Sequence, residues 1–269
     1  TVFVTPRLGS QTAECRIELE NLASKEAAFT LSAVVREKSS GSPASDLVST
    51  AANVPAGMRQ TVSLNVPVRH MRAWSPDDPF LYELAVSVES GGQTTDQHRC
   101  TFGMREFSIR DSDFYLNGKR MFLRGGNIAF HRFLSDPARG TLPWDTNWIR
   151  KVMGEIPRAN HFNYFRVHMG HAYNRWYDLA DEFGLCIQDE WMFWGKIAAD
   201  PDQIRQEFTA WIRDNYNHPS IIIWDPINEV ETNAEAQAKI RTIKEAVVPA
   251  MKRIDPTRPW ESVDFEEDH

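Results

Sequence analysis

Cysteine is scarce in this chain, with three among 269 residues. Cys15, Cys100 and Cys186 show no CxxC spacing and no neighbouring His pair, which argues against a structural zinc site. Cys15 and Cys100 fall on expected strands of one domain, where two buried free thiols are expected rather than a disulfide. Long apolar runs are missing as well, so no segment reaches the length of a bilayer-spanning helix. Positive charge is in deficit: 30 Lys and Arg against 37 Asp and Glu leave a net charge of -7. That balance argues against nucleic acid or an anionic membrane as a partner. The opening TVFVTPRLGS has no basic stretch followed by an apolar core, so no signal peptide is read there. The chain is expected to begin in mid-protein, and no compartment is assigned.

What is present is ordinary for a globular protein: 42% hydrophobic and 25% charged residues, in a length that suits two modest domains. Tryptophan is abundant, with nine residues, crowded between Trp144 and Trp211. Such rings either fill large cores or, on loops, stack against an apolar ligand face such as a sugar ring.

The first hundred residues alternate apolar and polar positions in short segments. These are Cys15 to Asn21, Phe29 to Val35, Thr61 to Pro67, Leu81 to Glu89 and Thr95 to Gly103, separated by turn-rich stretches such as SSGSPASD. The pattern predicts an antiparallel sandwich of immunoglobulin-like type over residues 1–103, without the Cys-Trp-Cys spacing of antibody domains. Residues 104–269 read differently. Phe107 to Asn127 predicts a hairpin turning at Asn117-Gly118 and running into a strand that ends at Gly125-Gly126. Strands at Phe162 to His168, Leu185 to Trp191 and His218 to Glu229 then alternate with helices. The helices are expected at Thr146 to Ala159 (ended or kinked by Pro157), Arg175 to Gly184, Pro201 to Asn217 and Glu231 to Ile254 (kinked at Pro249). A fifth strand is expected over Arg258 to Phe265. This alternation means a parallel sheet with right-handed crossovers.

The run HPSIIIWDPINE (His218 to Glu229) carries the strongest chemical signal. A buried, β-branched segment ending in Asn228-Glu229 puts a carboxylate at the carboxyl end of a parallel strand, where barrel enzymes keep their catalytic groups. A hydrophobic core has no other use for it.

Six motifs in order resemble glycoside hydrolase family 2, the β-galactosidase, β-glucuronidase and β-mannosidase group. FGMREFSI, YLNGKRMFLRGGN, FNYFRVH, YDLADEFGLCIQDE, HPSIIIWDPINE and DPTRPW run from about Phe102 to Trp260. The resemblance implies an immunoglobulin-like β-sandwich followed by a partial (β/α)8 TIM barrel, about strands 1–5. It also implies a retaining exo-β-glycosidase, β-galactosidase-like, that cleaves a terminal β-linked sugar by double displacement, with no metal and no redox cofactor. Glu229 would be the acid/base, and Asn228 would hold the hydroxyl next to the anomeric carbon. Arg166 would orient the nucleophile or form an ion pair with Asp189 or Glu190; the two roles are compatible.

Asn127, His168, His171, Asp189, Trp191 and Trp194 are the remaining candidate sugar contacts, at or just past strand ends. The loop sequence RVHMGH matches neither the galactosidase-type nor the mannosidase-type pattern, so the sugar is not named. Asp225 stands where the family usually has Ser. The family's nucleophile is a Glu on a later strand, so a fragment of a larger enzyme is expected, inactive alone and working with the remainder of the enzyme or a complementing chain. The alternative reading is a non-catalytic carbohydrate-binding or complementing piece.

Overall fold

The computed structural model describes residues 1–194, 197, 200–229 and 233–261, and the chain divides into two compact units, Thr1–Glu106 and Phe107–His269. The first holds seven strands: β1 (Val2–Arg7), β2 (Thr12–Glu20), β3 (Ala27–Glu37), β4 (Val48–Val54), β5 (Arg59–Pro67), β6 (Tyr82–Ser90) and β7 (Gln93–Phe102). They pair antiparallel in two sheets, β1-β2-β5 and β4-β3-β6-β7. Alternate residues of both sheets meet in one core: Ala13, Cys15 and Ile17 of β2, Leu64 and Val66 of β5, Leu31 and Ala33 of β3, Leu84 and Val86 of β6. This is the sandwich that the two-residue period implies. Cys15 and Cys100 are both free. Sequence periodicity missed β1 and β4. Four consecutive residues of β1 are buried, which hides the alternation, and β4 has only Ser, Thr, Ala and Asn between its terminal valines, with little hydrophobic contrast.

The second unit opens with an antiparallel meander of β8 (Phe107–Arg110), β9 (Asp113–Leu116) and β10 (Lys119–Met121). Asn117 and Gly118 make the tight turn with φ of 54° and 75°, the left-handed values that these two residue types tolerate. The expected end of the next strand needs correction. Gly125-Gly126 does not close a strand but starts one, β11 (Gly125–Ile128), the first of four parallel strands. A side chain at Gly125 would overlap the Tyr164 carbonyl, so glycine lets two backbones approach closely there.

β12 (Tyr164–Val167), β13 (Cys186–Glu190) and β14 (Ile221–Asp225) follow side by side in chain order. Trp224 makes an isolated parallel bridge to Trp260, inside the expected fifth strand; residues 262–265 of that strand lie outside the described residues. Helices fill each connection. Asn174–Phe183 closes on Gly184 at φ 76°, and Pro201–Asn215 is capped by the Asp200 side chain on the N–H groups of Asp202 and Gln203. The two helices expected to break or kink at Pro157 and Pro249 do not break. Thr146–Arg150 and Ile156–Ala159 are joined by a π-helical turn at Lys151–Glu155, and Ala234–Thr242 and Val248–Ile254 by one at Ile243–Val247. Each widened turn sits just ahead of a proline, whose ring and missing N–H displace the carbonyl four residues back. The expected kinks are absorbed as π turns.

Among the described residues, no helix is long and apolar enough to cross a membrane. β13 and β14 are buried along their whole length, as parallel strands covered on both faces should be. Towards the helices, Trp224 packs edge-on against Trp211 and its Nε1 donates to Asp255 at 2.8 Å. Arg258 locks this layer. It pairs with Asp255 at 2.7 Å and donates to the carbonyls of Ile221, Tyr216 and His218 at 2.7 to 2.8 Å.

Candidate active site

Side chains on the other face of β12–β14 converge on Arg166, in the middle of β12. Its Nε lies 2.5 Å from Glu190 Oε2 and 3.1 Å from Asp225 Oδ2, both carboxylates with side chains fully buried. These are ion pairs by distance; the Nε–H is aligned on neither oxygen as a hydrogen bond. Nη2 of Arg166 donates to Asn228 Oδ1 at 3.0 Å. Glu190 also receives the backbone N–H of Met169 at 2.8 Å, and its Oε2 lies 3.2 Å from His168 Nδ1. One turn of pleat below, the Tyr164 hydroxyl donates to Gln188, whose Nε2 donates to Asp225 at 2.8 Å and also to Glu261. Glu261 and Asp225 thus share the Gln188 amide as donor.

The electrostatics follow from the count. One guanidinium faces three carboxyl groups, Glu190, Asp225 and Glu261. Burial, then the neighbouring Glu261 charge, pushes the Asp225 carboxyl up to about 8. Glu261 is raised as well, again chiefly by burial. Burial alone would weaken the Arg166 charge, but Asp225, Glu190 and Glu261 together hold it more firmly protonated than usual.

The structure places the expected residues unequally. Arg166, His168 and Asn228 join this cluster. Of the ion-pair partners foreseen for Arg166, Glu190 is the one realised. Asp189, expected to grip a ligand, points instead to the helix side of the sheet. Both its oxygens are taken there, by Tyr177 Oη at 2.5 Å and Trp211 Nε1 at 2.6 Å, and it has no exposed surface. Burial raises its carboxyl to about 7. Adjacent residues on a strand face opposite ways, so only one of Asp189 and Glu190 can look inward.

Trp191 is likewise buried, against Phe208, Trp211 and Phe193, with His171 stacked on it at 5.1 Å; burial lowers the His171 pKa. Trp194 is 62% exposed and free to meet a ligand. Asn127 is exposed on β11, in register with Arg166.

β14 ends at Asp225, and the chain leaves the strand before the Asn-Glu pair. Asn228 is buried, its N–H bonded to the Phe193 carbonyl at 3.1 Å and its Nδ2 without a partner among the described residues. Glu229 follows in a bend with an exposed side chain. Sequence reasoning passed over Gln188, Tyr164 and Glu261 and left Asp225 unexplained. Strand parity from Arg166 would have found Tyr164, and the same alternation links Gln188 to Glu190 on β13.

Charged and amide side chains gathered at the carboxyl ends of consecutive parallel strands stand where α/β folds place their functional sites. Comparison with known proteins names the kind. The family described as "Glycosyl hydrolases family 2" matches residues 1–105, and its TIM barrel domain matches residues 107–269. The chain belongs to glycosyl hydrolase family 2. A β-galactosidase of Alteromonas mediterranea is 27% identical over 214 residues, which cover 76% of this chain and 19% of that protein. In fold, the chain is similar to a family 2 member from Bacteroides cellulosilyticus, with a TM-score of 0.82, 22% identity and 96% of this chain covered against 35% of that one. It is also similar to the Bacteroides uniformis β-glucuronidase, with a TM-score of 0.81, 21% identity and 96% of this chain covered against 32% of that one. The chain therefore spans about a third of these solved structures and a fifth of the β-galactosidase.

Proposed function

We propose that this chain supplies the sandwich and the first half of the catalytic barrel of a retaining exo-β-glycosidase of the β-galactosidase-like type, acting on a terminal β-linked sugar. The observation that carries this reading is Arg166, which reaches Asn228, Glu190 and Asp225 at once from the centre of the strand ends. Glu229 is the proton donor to the leaving oxygen and then the base that activates water. Its neighbour Asn228 is fixed by Arg166 and by the Phe193 carbonyl, with Nδ2 left over to donate to a sugar hydroxyl. Asn127, His168 and Trp194 are further contacts for the sugar. Asp189, Trp191 and His171 support the site from behind rather than touching it. The attacking carboxylate comes from a later strand, so that Arg166 and its acidic partners form one wall of the cleft. These residues alone turn over little.

The test uses the full-length protein with a panel of nitrophenyl β-glycosides. Turnover with retention at the anomeric carbon, followed by NMR of the first-formed product, is expected. Glu229→Gln should lower kcat by about 10²- to 10⁴-fold on substrates that need protonation of the leaving group. Sugar binding without turnover by the unmodified protein would refute the enzyme reading in favour of a carbohydrate-binding module.

A further inference from the structure

Two aromatic rings stand free at the carboxyl rim of the parallel sheet. Trp144 is 54% exposed and Tyr173 51%, with ring centroids 6.2 Å apart and planes tilted by 32°. Trp144 ends the short turn Leu142–Trp144 in the connection after β11, and Tyr173 ends the loop after β12. Both connections leave the same end of the sheet.

The rings are held rather than loose. Trp176, fully buried, donates its Nε1 to the Pro143 carbonyl at 2.8 Å and so pins the turn that carries Trp144. Phe130 lies beneath, 6.4 Å from Trp144 and 5.7 Å from Trp176. On the other loop, Ala172 donates its N–H to the Tyr177 hydroxyl at 2.7 Å, and Tyr177 is anchored on Asp189. That loop begins with His168 and Met169, both held by Glu190 of the polar cluster. The loop that carries Tyr173 is thus tied through backbone to the same carboxylate that meets Arg166.

The half of each ring that faces water contributes nothing to folding. Rigid, exposed ring faces bind apolar ligand surfaces with little conformational entropy to lose. The ligand chemistry available to a family 2 hydrolase is carbohydrate, whose C–H face stacks on such rings.

The geometry points to Trp144 and Tyr173 as a saccharide subsite for the leaving-group sugar, next to the terminal residue held at Arg166 and Asn228. The assignment rests on the glycosidase reading. Its test, in the full-length protein, compares β-linked disaccharides with glycosyl fluorides of the same terminal sugar, whose leaving group has no ring to stack. Trp144→Ala and Tyr173→Ala should each raise KM for the disaccharide by about 3- to 10-fold relative to any change for the fluoride. Trp144→Phe should recover most of the loss. Equal effects on both substrates, or none on either, would overturn the subsite. Hydrolysis of neither substrate by the unmodified protein would sink the glycosidase reading instead. The subsite would then be decided by titrating the disaccharide against tryptophan fluorescence: a signal lost in Trp144→Phe supports it, and no signal refutes it.

Discussion

Asp225 offers the sharpest test of the electrostatic reading. One cation, Arg166, faces Glu190, Asp225 and Glu261, with Gln188, Tyr164 and His168 completing the surround. Three ionised carboxylates would leave the buried cluster strongly negative, so the Asp225–Glu261 pair takes up a proton on folding. The folded pKa, about 8, lies above that of the unfolded chain. Stability from this proton is therefore complete below the unfolded carboxylate pKa and is lost as pH rises through the folded value. Between those limits one extra proton is bound by the folded state, which makes stability fall by about 1.4 kcal/mol per pH unit. From pH 6 to pH 8 the loss is about 2 kcal/mol, because the slope flattens as the folded value is approached.

Asp225→Asn keeps an acceptor for Gln188 and removes the charge, so its unfolding free energy should lack this slope. Urea denaturation at pH 6, 7 and 8, read by tryptophan fluorescence, makes the comparison. All the tryptophans except Trp74 lie in the second unit, so the signal reports the right region. Parallel pH slopes for the two proteins would refute the shared-proton account, whatever their absolute stabilities.

Two further predictions concern the scaffold. Arg258→Met should cost about 3–5 kcal/mol in unfolding free energy, because Asp255 is left as an unpaired buried charge and three carbonyls lose their donor. Burial alone would raise the Asp255 pKa, but Arg258 wins and holds it low. This pair's contribution is thus present above the unfolded carboxylate pKa and lost as pH falls through the folded one; an unchanged acid midpoint in the variant would count against it. Gly125→Ala should cost about 1–3 kcal/mol by forcing β11 from β12. Gly126→Ala, whose added carbon meets nothing within 4 Å, is the control, and equal effects at both sites in chemical denaturation would dismiss the close-approach argument.

Much of the fold was legible because its signals are local. Alternation marked five of the seven sandwich strands, and Gly184, Asn117 and Gly118 sit where their backbone freedom is used. The motifs also contained pairings that sequence could not display. His218 of the HPS motif meets Asp181 of the DLADE motif at 2.6 Å, and the second oxygen of Asp181 receives the N–H of Ser220, so two motifs read separately fix one strand end.

The site was harder to read because its strands are buried on both faces. On a half-exposed strand, hydrophobicity tells in from out; on β13, with no exposed residue, Asp189 and Glu190 look alike. What separates them is a relation between strands. Arg166 must have a carboxylate across from it, and only one of the two adjacent acids shares its face. The other then has to be neutralised by hydrogen bonds from the helix layer, which is the use that Tyr177 and Trp211 serve. A buried acid pair at a strand end thus signals two separate arrangements back to back. Assigning either residue to the ligand requires locating the cation first.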